Sequence, residues 1–208
     1  MKAKDEIKSP WDYQVDRIIS TVKSIEMHKL TLLTGSNASG KSVVRKQLPF
    51  HVPDKIDGAT REHCVASVSF MSRAGLDSEK GINFLRDSDW SATSQNSISL
   101  AEHILDVTDR YIVLDEPEIG MSEEMQLALA KLINRMKARC LEQSYGLLVI
   151  THSRIIVREL DNDIFINLDG IPDKESWLGR EIVPTDLEAF KKKAEGLFVA
   201  IRDREKRN

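Results

Sequence analysis

The segment Gly35–Ser42, with the sequence GSNASGKS, constrains the fold of this chain more than any other part of it. It fits the phosphate-binding pattern G-x-x-x-x-G-K-[ST], in which glycines let successive backbone N–H groups point at phosphate oxygens. The apolar run Leu30–Thr34 before it predicts a buried strand, and the residues from Ser42 to Leu48 predict the first turns of a helix. A glycine-containing turn that matches by chance is the alternative, and the flanking strand and helix argue against it.

This loop supplies the first group of candidate site residues. The N-terminus of the following helix adds a positive dipole, so the backbone of the loop is expected to surround the phosphates of a nucleotide. Lys41 is expected to reach the β- and γ-phosphates, and the hydroxyl of Ser42 is expected to bind Mg²⁺. The expected nucleotide contacts are Gly35, Ser36, Asn37, Ala38, Ser39, Gly40, Lys41, Ser42 and Val43.

Length and composition favour a single globular domain without a membrane span. A chain of 208 residues suggests one domain, 41% hydrophobic residues can form a sizeable core, and 30% charged residues favour a soluble surface. No stretch reaches the ~18 consecutive apolar residues of a membrane helix, and the N-terminus lacks the apolar core of a signal peptide. Cys64 and Cys140 lack metal-ligand spacing, which favours reduced core thiols in a cytoplasmic protein.

The charge distribution singles out the C-terminal segment. The whole chain has a net charge of −3, so it has no overall electrostatic attraction to nucleic acid. From Lys191 to Asn208, however, seven Lys and Arg residues stand against three Asp and Glu residues. Two interpretations stay open: a solvated amphipathic helix that partly buries Leu197, Val199 and Ile201, or a tail that contacts a partner protein or nucleic acid.

Strand-like and helix-like segments alternate along the chain, which predicts an α/β fold around a mainly parallel sheet. The runs 111–114 and 146–150 are continuously apolar, as expected of strands buried on both faces. Pro49 is expected to end the helix that follows the phosphate loop. Further strands are predicted at 65–70 and 163–168, and helices at 15–25, 96–107, 123–140 and 153–160.

A pair of acidic residues, Asp115 and Glu116, directly follows the apolar run 111–114. Next to a phosphate loop, a carboxylate at the end of such a strand is placed to hold Mg²⁺ directly or through water. Glu116, one residue further, is predicted to orient or deprotonate the water that attacks the γ-phosphate. The alternative makes both residues turn formers ahead of Pro117, and the combination of strand, paired acids and loop argues against it.

A histidine, His152, follows the second apolar run, 146–150. Ligands of open α/β sheets bind at the carboxyl ends of the strands, so His152 is expected at the same edge as the phosphate loop. Its imidazole is predicted to donate to the γ-phosphate and to sense its presence. The alternative is a histidine that only makes a structural hydrogen bond.

Together, Gly35–Ser42, Asp115–Glu116 and His152 resemble the Walker A, Walker B–glutamate and switch-histidine elements of the ABC-type ATPase superfamily. That superfamily includes transporter subunits and soluble SMC- and RecF-like ATPases, and the resemblance covers about residues 28–170. It implies a P-loop NTPase three-layer sandwich, ATP and Mg²⁺ as cofactors, and a single domain over 1–208 with a basic helical segment at its C-terminal end. The implied catalytic residues are Glu116, His152 and Lys41, and the implied metal ligands are Ser42 and Asp115.

The resemblance also implies that ATP is sandwiched between two heads, and that a signature loop of the opposite head completes each site. Here the corresponding stretch is 91–95, in which both signature glycines are replaced. Its hydroxyl groups are still predicted to cap a helix and donate to phosphate, and the alternative is a polar helix cap without a functional role. The candidate contacts are Ser91, Thr93, Ser94 and Gln95.

Other departures from the family pattern affect the functional prediction. No glutamine lies between Gln47 and Gln95, so the family's Q-loop glutamine is missing or replaced near 71–73. Ser122 stands where the loop after Walker B often carries an aspartate. The chain has no room for the helical subdomain of transporters or the coiled coil of SMC proteins. It is therefore predicted to be a minimal stand-alone head with a reduced helical subdomain and slow or partner-dependent hydrolysis.

The leading functional hypothesis is a soluble, cytoplasmic ATPase that works as a nucleotide-driven switch. ATP would drive its association as a homodimer or with a partner protein, in DNA maintenance, phage biology or anti-phage defence. The alternatives are the nucleotide-binding subunit of a membrane transporter and a scaffold that binds ATP without hydrolysing it. Contact with nucleic acid stays an open prediction.

Overall fold

The computed structural model describes residues 10–52, 65–69, 93–184 and 186–206 of the chain. Helices and strands alternate through these ranges, as the sequence predicted. The strands described there are β1 (Leu30–Thr34), β2 (Val65–Ser69), β3 (Tyr111–Asp115), β4 (Gly146–Ile150) and β5 (Ile164–Asn167). The helices described there are α1 (Pro10–Ser24), α2 (Lys41–His51), α3 (Thr93–Leu105), α4 (Glu123–Gln143), α5 (Arg154–Glu159), α6 (Lys174–Gly179) and α7 (Leu187–Glu205).

These strands form one parallel sheet in the order β2-β3-β4-β1-β5, which confirms the predicted α/β class. Every residue of β1 and β4 is buried, because helices cover both faces of the sheet. Ile150 at the end of β4 is paired with Leu33 of β1 on one side and with Asp115 of β3 on the other. The chain therefore leaves these strands at one edge, which brings the phosphate loop, Asp115 and His152 together.

Side chains alternate between the two faces of the sheet and enter two separate apolar cores. Helices α1, α2 and α7 pack on one face, where Ile18, Val44 and Leu197 share a core with Val113 of β3. Helices α3 to α6 pack on the other face, where Trp177 of α6 is fully buried. This arrangement is the predicted three-layer sandwich.

The C-terminal helix α7 is attached to the N-terminal helix α1. Gly196 of α7 lies against the ring of Trp11, and a Cβ atom at this glycine would stand 2.7 Å from Cζ2 of the ring. Near the end of α7, Nη1 of Arg204 pairs with Oδ1 of Asp16 at 2.5 Å. Both ends of the described chain thus belong to the same packed layer.

The amphipathic interpretation of the C-terminal segment is confirmed for two of its three apolar residues. Leu197 is buried and Ile201 is half-buried, both on the side that faces the core. Val199 was expected to be partly buried, but it is 44% exposed because it lies on another face of α7. Contact of this segment with a partner or nucleic acid stays a prediction.

The prediction that Pro49 ends the second helix was wrong. Helix α2 continues through this proline to His51, and the N–H of Val52 then donates to the carbonyl of Leu48 at 3.0 Å. Pro49 removes one intrahelical donor, but the hydrogen bond from Val52 to Leu48 still closes the last turn beyond it.

Cys140 of α4 is a free and fully buried thiol, as predicted, and burial raises its pKa. Cys64 and Phe70, which were predicted to lie in or beside a strand, fall outside the described residues. Across the described part of the chain, no helix combines the length and apolarity needed to cross a membrane.

Candidate functional site

The loop between β1 and α2 has the tight backbone that its glycines predicted. Gly40, the N-cap of α2, has a φ of 103°, and a Cβ atom there would lie 2.9 Å from Cγ1 of Ile18. At Gly35, a Cβ atom would collide with the Oγ of Ser39. Ala38 has a φ of 58°, a left-handed conformation that is strained for a residue with a side chain. The loop therefore approaches itself and α1 too closely for a larger residue at either glycine.

Lys41, the first residue of α2, is 7% exposed and folds back over the loop. Its Nζ donates to the carbonyl oxygens of Gly35 and Ser36, at 3.1 and 3.0 Å. Burial lowers the pKa of Lys41 to about 8, against the raising effect of nearby carboxylates, first among them Glu116 and Asp169. A buried ammonium of this kind is stabilised by an anion placed in the loop, as expected of a phosphate ligand.

Asp115 at the end of β3 contacts a cation from α2. Nε of Arg45 lies 3.2 Å from Oδ2 of Asp115, and the two side chains are 22% and 13% exposed. Burial raises the pKa of Asp115, and the charge of Arg45 opposes that rise. This pair could not be expected from the sequence, because Arg45 lies within an ordinary amphipathic helix pattern.

The residues at this edge fit Mg²⁺ held together with a nucleotide. Mg²⁺ commonly takes one or two protein carboxylates and completes its shell with waters and substrate phosphates. Asp115 supplies a carboxylate, and Ser42 has an exposed hydroxyl-bearing side chain at the start of α2. The described residues contain no group of three or more His, Cys, Asp or Glu side chains arranged to hold a metal without such a substrate.

The second and third predicted elements meet in a direct contact. Nε2 of His152 lies 3.1 Å from Oε1 of Glu116, and the two side chains are 34% and 33% exposed. Glu116 has a φ of 49°, and its backbone N–H donates to the carbonyl of Ile150 at 2.8 Å. Strained backbone of this kind occurs often at functional positions. The contact orients a carboxylate that can take a proton from water beside an imidazole that can donate to an anion.

Glu118, which was not among the predicted site residues, holds the turn that carries His152. This side chain is 8% exposed, and its Oε1 accepts from the hydroxyl of Thr151 at 2.6 Å. The same oxygen accepts from the backbone N–H groups of His152 and Ser153, at 3.0 and 3.2 Å. The turn after β3 is thereby fixed to the turn after β4. In the sequence, Glu118 is only a third acidic residue shortly after Glu116, which is typical of a turn.

A second missed group lies on the β5 side of the loop. Oδ2 of Asp169 accepts from the backbone N–H of Ser36 at 2.5 Å, and Oδ1 accepts from its hydroxyl at 2.8 Å. Nζ of Lys193, from α7, donates to the Oγ of Ser36 at 2.9 Å. Burial acts to raise the pKa of Asp169, but the hydrogen bonds from Ser36 and the charge of Lys193 lower it overall. This group fixes the first turn of the loop to both β5 and α7.

A cavity of about 420 Å³ lies between the phosphate loop and α7. Its size falls within the range of about 300–1,000 Å³ that is typical of small-ligand sites. One side is formed by the loop residues 37–43 with Glu116 and His152. The other side is the apolar face of α7, formed by Phe190, Ala194, Leu197, Phe198 and Ile201.

The structure brings most of the predicted site residues to this cavity. Lys41, Glu116 and His152 line it together with the loop residues 37–43. Gly35 and Ser36 form the preceding turn, and their carbonyls hold Lys41. Asp115 lies in the same region, where its charge acts on Lys41. The catalytic and ligand roles assigned to these residues stay predictions.

The side chains of the predicted signature contacts lie outside what the structure describes. Ser91 lies outside the described residues, and 93–95 form the first turn of α3 with side chains that are not described. Helix α3 begins at Thr93, whereas Asn96 was the predicted start. Ser122 has a structural role as the N-cap of α4, where its Oγ accepts from the N–H of Met125.

No protein-family model and no curated protein sequence matches this chain. Among solved structures, a nucleotide-free ATP-binding cassette from an ABC transporter is similar at 14% identity and a TM-score of 0.36, over 66% of this chain and 76% of that chain. The ATP-binding subunit of an ABC transporter is similar at 13% identity and a TM-score of 0.38, over 82% of this chain and 89% of that chain. Cdc6p from Pyrobaculum aerophilum is similar at 15% identity and a TM-score of 0.33, over 94% of this chain and 52% of that chain.

Proposed function

We propose that this chain binds ATP with Mg²⁺ at the cavity between the phosphate loop and α7, and that it hydrolyses the ATP. The observation that carries the proposal is the convergence of Lys41, Glu116 and His152 on one cavity with the backbone of 37–43. These groups come from three different strand ends, and each is of the type that phosphoryl transfer to water requires.

In this proposal, the N–H groups of the loop and the buried ammonium of Lys41 hold the phosphates. Ser42 and Asp115 would hold Mg²⁺, which supplies positive charge to the phosphate oxygens. Glu116 accepts a proton from water as the water oxygen bonds to the γ-phosphorus and the bond to the ADP oxygen breaks. His152, held beside Glu116, donates to a γ-phosphate oxygen.

Two variants separate binding from hydrolysis. Lys41→Ala is expected to lose ATP binding in isothermal titration, because the loop then has no buried cation. Glu116→Gln is expected to keep ATP binding and to release phosphate roughly 10²–10⁴-fold more slowly, as expected when a general base is removed. Wild-type phosphate release from Glu116→Gln would contradict hydrolysis by this residue and would support the non-hydrolysing scaffold.

We also propose that ATP drives association with a second copy or a partner protein, as the resemblance to ABC-type ATPases implies. Size-exclusion chromatography with light scattering on Glu116→Gln, with and without ATP, tests this step. An ATP-dependent doubling of mass is expected. An unchanged mass would contradict self-association, and co-purification with a polytopic membrane protein would support the transporter alternative instead.

A further inference from the structure

Helix α7 runs alongside the phosphate loop in the same direction as the loop. Lys193 contacts Ser36 near the start of the loop, with 2.9 Å between Nζ and Oγ. One helical turn later, Cδ2 of Leu197 lies 3.7 Å from the position of a Cβ atom on Gly40. The next residues of α7, Phe198 and Ile201, line the same cavity as Val43, which follows the loop.

The face that α7 presents to the cavity is apolar and carries exposed aromatic surface. Its lining residues recur at helical spacing, so they form one continuous stripe. Phe198 in this stripe is 65% exposed, although an aromatic ring of its size is normally covered. Ile201, one turn further on, is half-buried beside it. The exposed ring thus stands within a cavity whose other wall is a phosphate loop.

The direction of the loop indicates which part of a nucleotide meets this ring. Lys41 of such a loop reaches the β- and γ-phosphates, and the loop N–H groups surround the α- and β-phosphates. The sugar and base follow the α-phosphate, so they extend away from Lys41 into the rest of the cavity. Phe198 and Ile201, which follow Leu197 along α7, line that cavity.

We propose that Phe198 stacks on the base of the bound nucleotide and that Ile201 supports the base from the side. This inference rests on the proposed nucleotide site. Stacking on an aromatic face is favourable for any base, because every base has a π-face. The stacking surface has a fixed position, since α7 is held to α1 by the packing of Gly196 against Trp11 and by the ion pair of Arg204.

The test compares ligands that do and do not carry a base. Phe198→Ala is expected to weaken binding of a non-hydrolysable ATP analogue by about 5- to 150-fold, the range that stacking of one base supplies. Binding of inorganic tripolyphosphate should stay within about twofold, because its contacts are to the loop alone. Phe198→Tyr is expected to restore binding of the analogue, since it keeps an aromatic face.

Val199→Ala is the matched control, because this neighbour is an exposed apolar residue of α7 that does not line the cavity. Equal weakening of the ATP analogue and tripolyphosphate by Phe198→Ala would overturn the inference and indicate a displaced α7. Unchanged binding of the analogue would also overturn it, while loss of both ligands in Lys41→Ala would leave the proposed function standing. If the wild-type chain binds neither ligand, the proposed function itself fails.

Discussion

Replacing Glu118 by alanine is expected to loosen the turn that carries His152, and so to reduce both stability and catalysis. The carboxylate joins two turns at the edge of the sheet through a single oxygen. That oxygen accepts from the hydroxyl of Thr151 at 2.6 Å and from the N–H groups of His152 and Ser153 at 3.0 and 3.2 Å. Alanine removes all of these acceptor contacts at once.

The loss of stability in Glu118→Ala depends on whether water can reach the groups that donate to Glu118. Thr151 is fully buried, so its hydroxyl loses its acceptor without replacement, at a cost of about 1–3 kcal/mol. His152 and Ser153 are partly exposed, so water replaces part of what their N–H groups lose. With the cavity left by the side chain, we expect a total loss of about 3–5 kcal/mol. At about 2–4 °C per kcal/mol, Tm should fall by roughly 6–20 °C.

Thermal unfolding followed by circular dichroism at pH 7 measures the loss, and phosphate release measures its catalytic consequence. We expect kcat to fall more than the affinity for ATP, because Lys41 and the loop are not touched. Glu118→Gln keeps an acceptor oxygen and should lie between wild type and Glu118→Ala. Glu142→Ala, at an exposed position of α4, is the control. Equal Tm values for Glu118→Ala and Glu142→Ala would refute the argument.

Other substitutions around the loop test its packing, its ion pair and its buried lysine. Gly40→Ala should lower the free energy of unfolding in urea by about 1–3 kcal/mol, because φ at Gly40 is 103°. Gly179→Ala is the control and should be neutral or stabilising, because its Cβ would meet no atom within 4 Å. Equal effects of the two substitutions would contradict the steric argument. Arg45→Gln should lower Tm at pH 7, because it leaves the partly buried carboxylate of Asp115 without its cation, and an unchanged Tm would contradict this role. Without added nucleotide, Lys41→Met should raise the free energy of unfolding at pH 7 by about 1–3 kcal/mol, because burial lowers the pKa of Lys41 to about 8 from 10.5. The gain should shrink between pH 8 and 10.5, where the folded wild type has lost a proton that the unfolded chain still binds, and a gain independent of pH would contradict burial as its cause.

The central sheet and the three site elements could be predicted because their signals are local. The run 146–150 is continuously apolar, and the strand has those same bounds in the structure. The phosphate loop follows a strand and opens a helix, as its pattern requires. Once β1, β3 and β4 were expected to be parallel, the carboxyl-end rule placed Glu116 and His152 beside the loop.

The supporting contacts could not be predicted, because they join segments that are far apart in the chain. Lys193 and Ser36 are separated by 157 positions, and a lysine on a polar helix face gives no sign of its partner. Glu118 follows a proline in a turn, where an acid is ordinary, and only the packing of two strand ends shows what it holds. Helix α6 has only six residues, and its Trp177 is fixed by the core rather than by a repeat pattern.

The polar and charged groups assigned to the nucleotide already have partners within the chain, so nucleotide binding must replace these internal contacts. The ammonium of Lys41 is held by loop carbonyls, the carboxylate of Asp115 by Arg45, and the N–H of Ser36 by Asp169. Phosphates and Mg²⁺ would compete with these contacts, so the binding free energy is the difference between new and existing interactions. Removing an internal competitor such as Arg45 should therefore destabilise the fold and yet raise the affinity for Mg²⁺ with ATP. A substitution that lowers both would show that Arg45 supports the site, whereas opposite changes would show that it competes for Asp115.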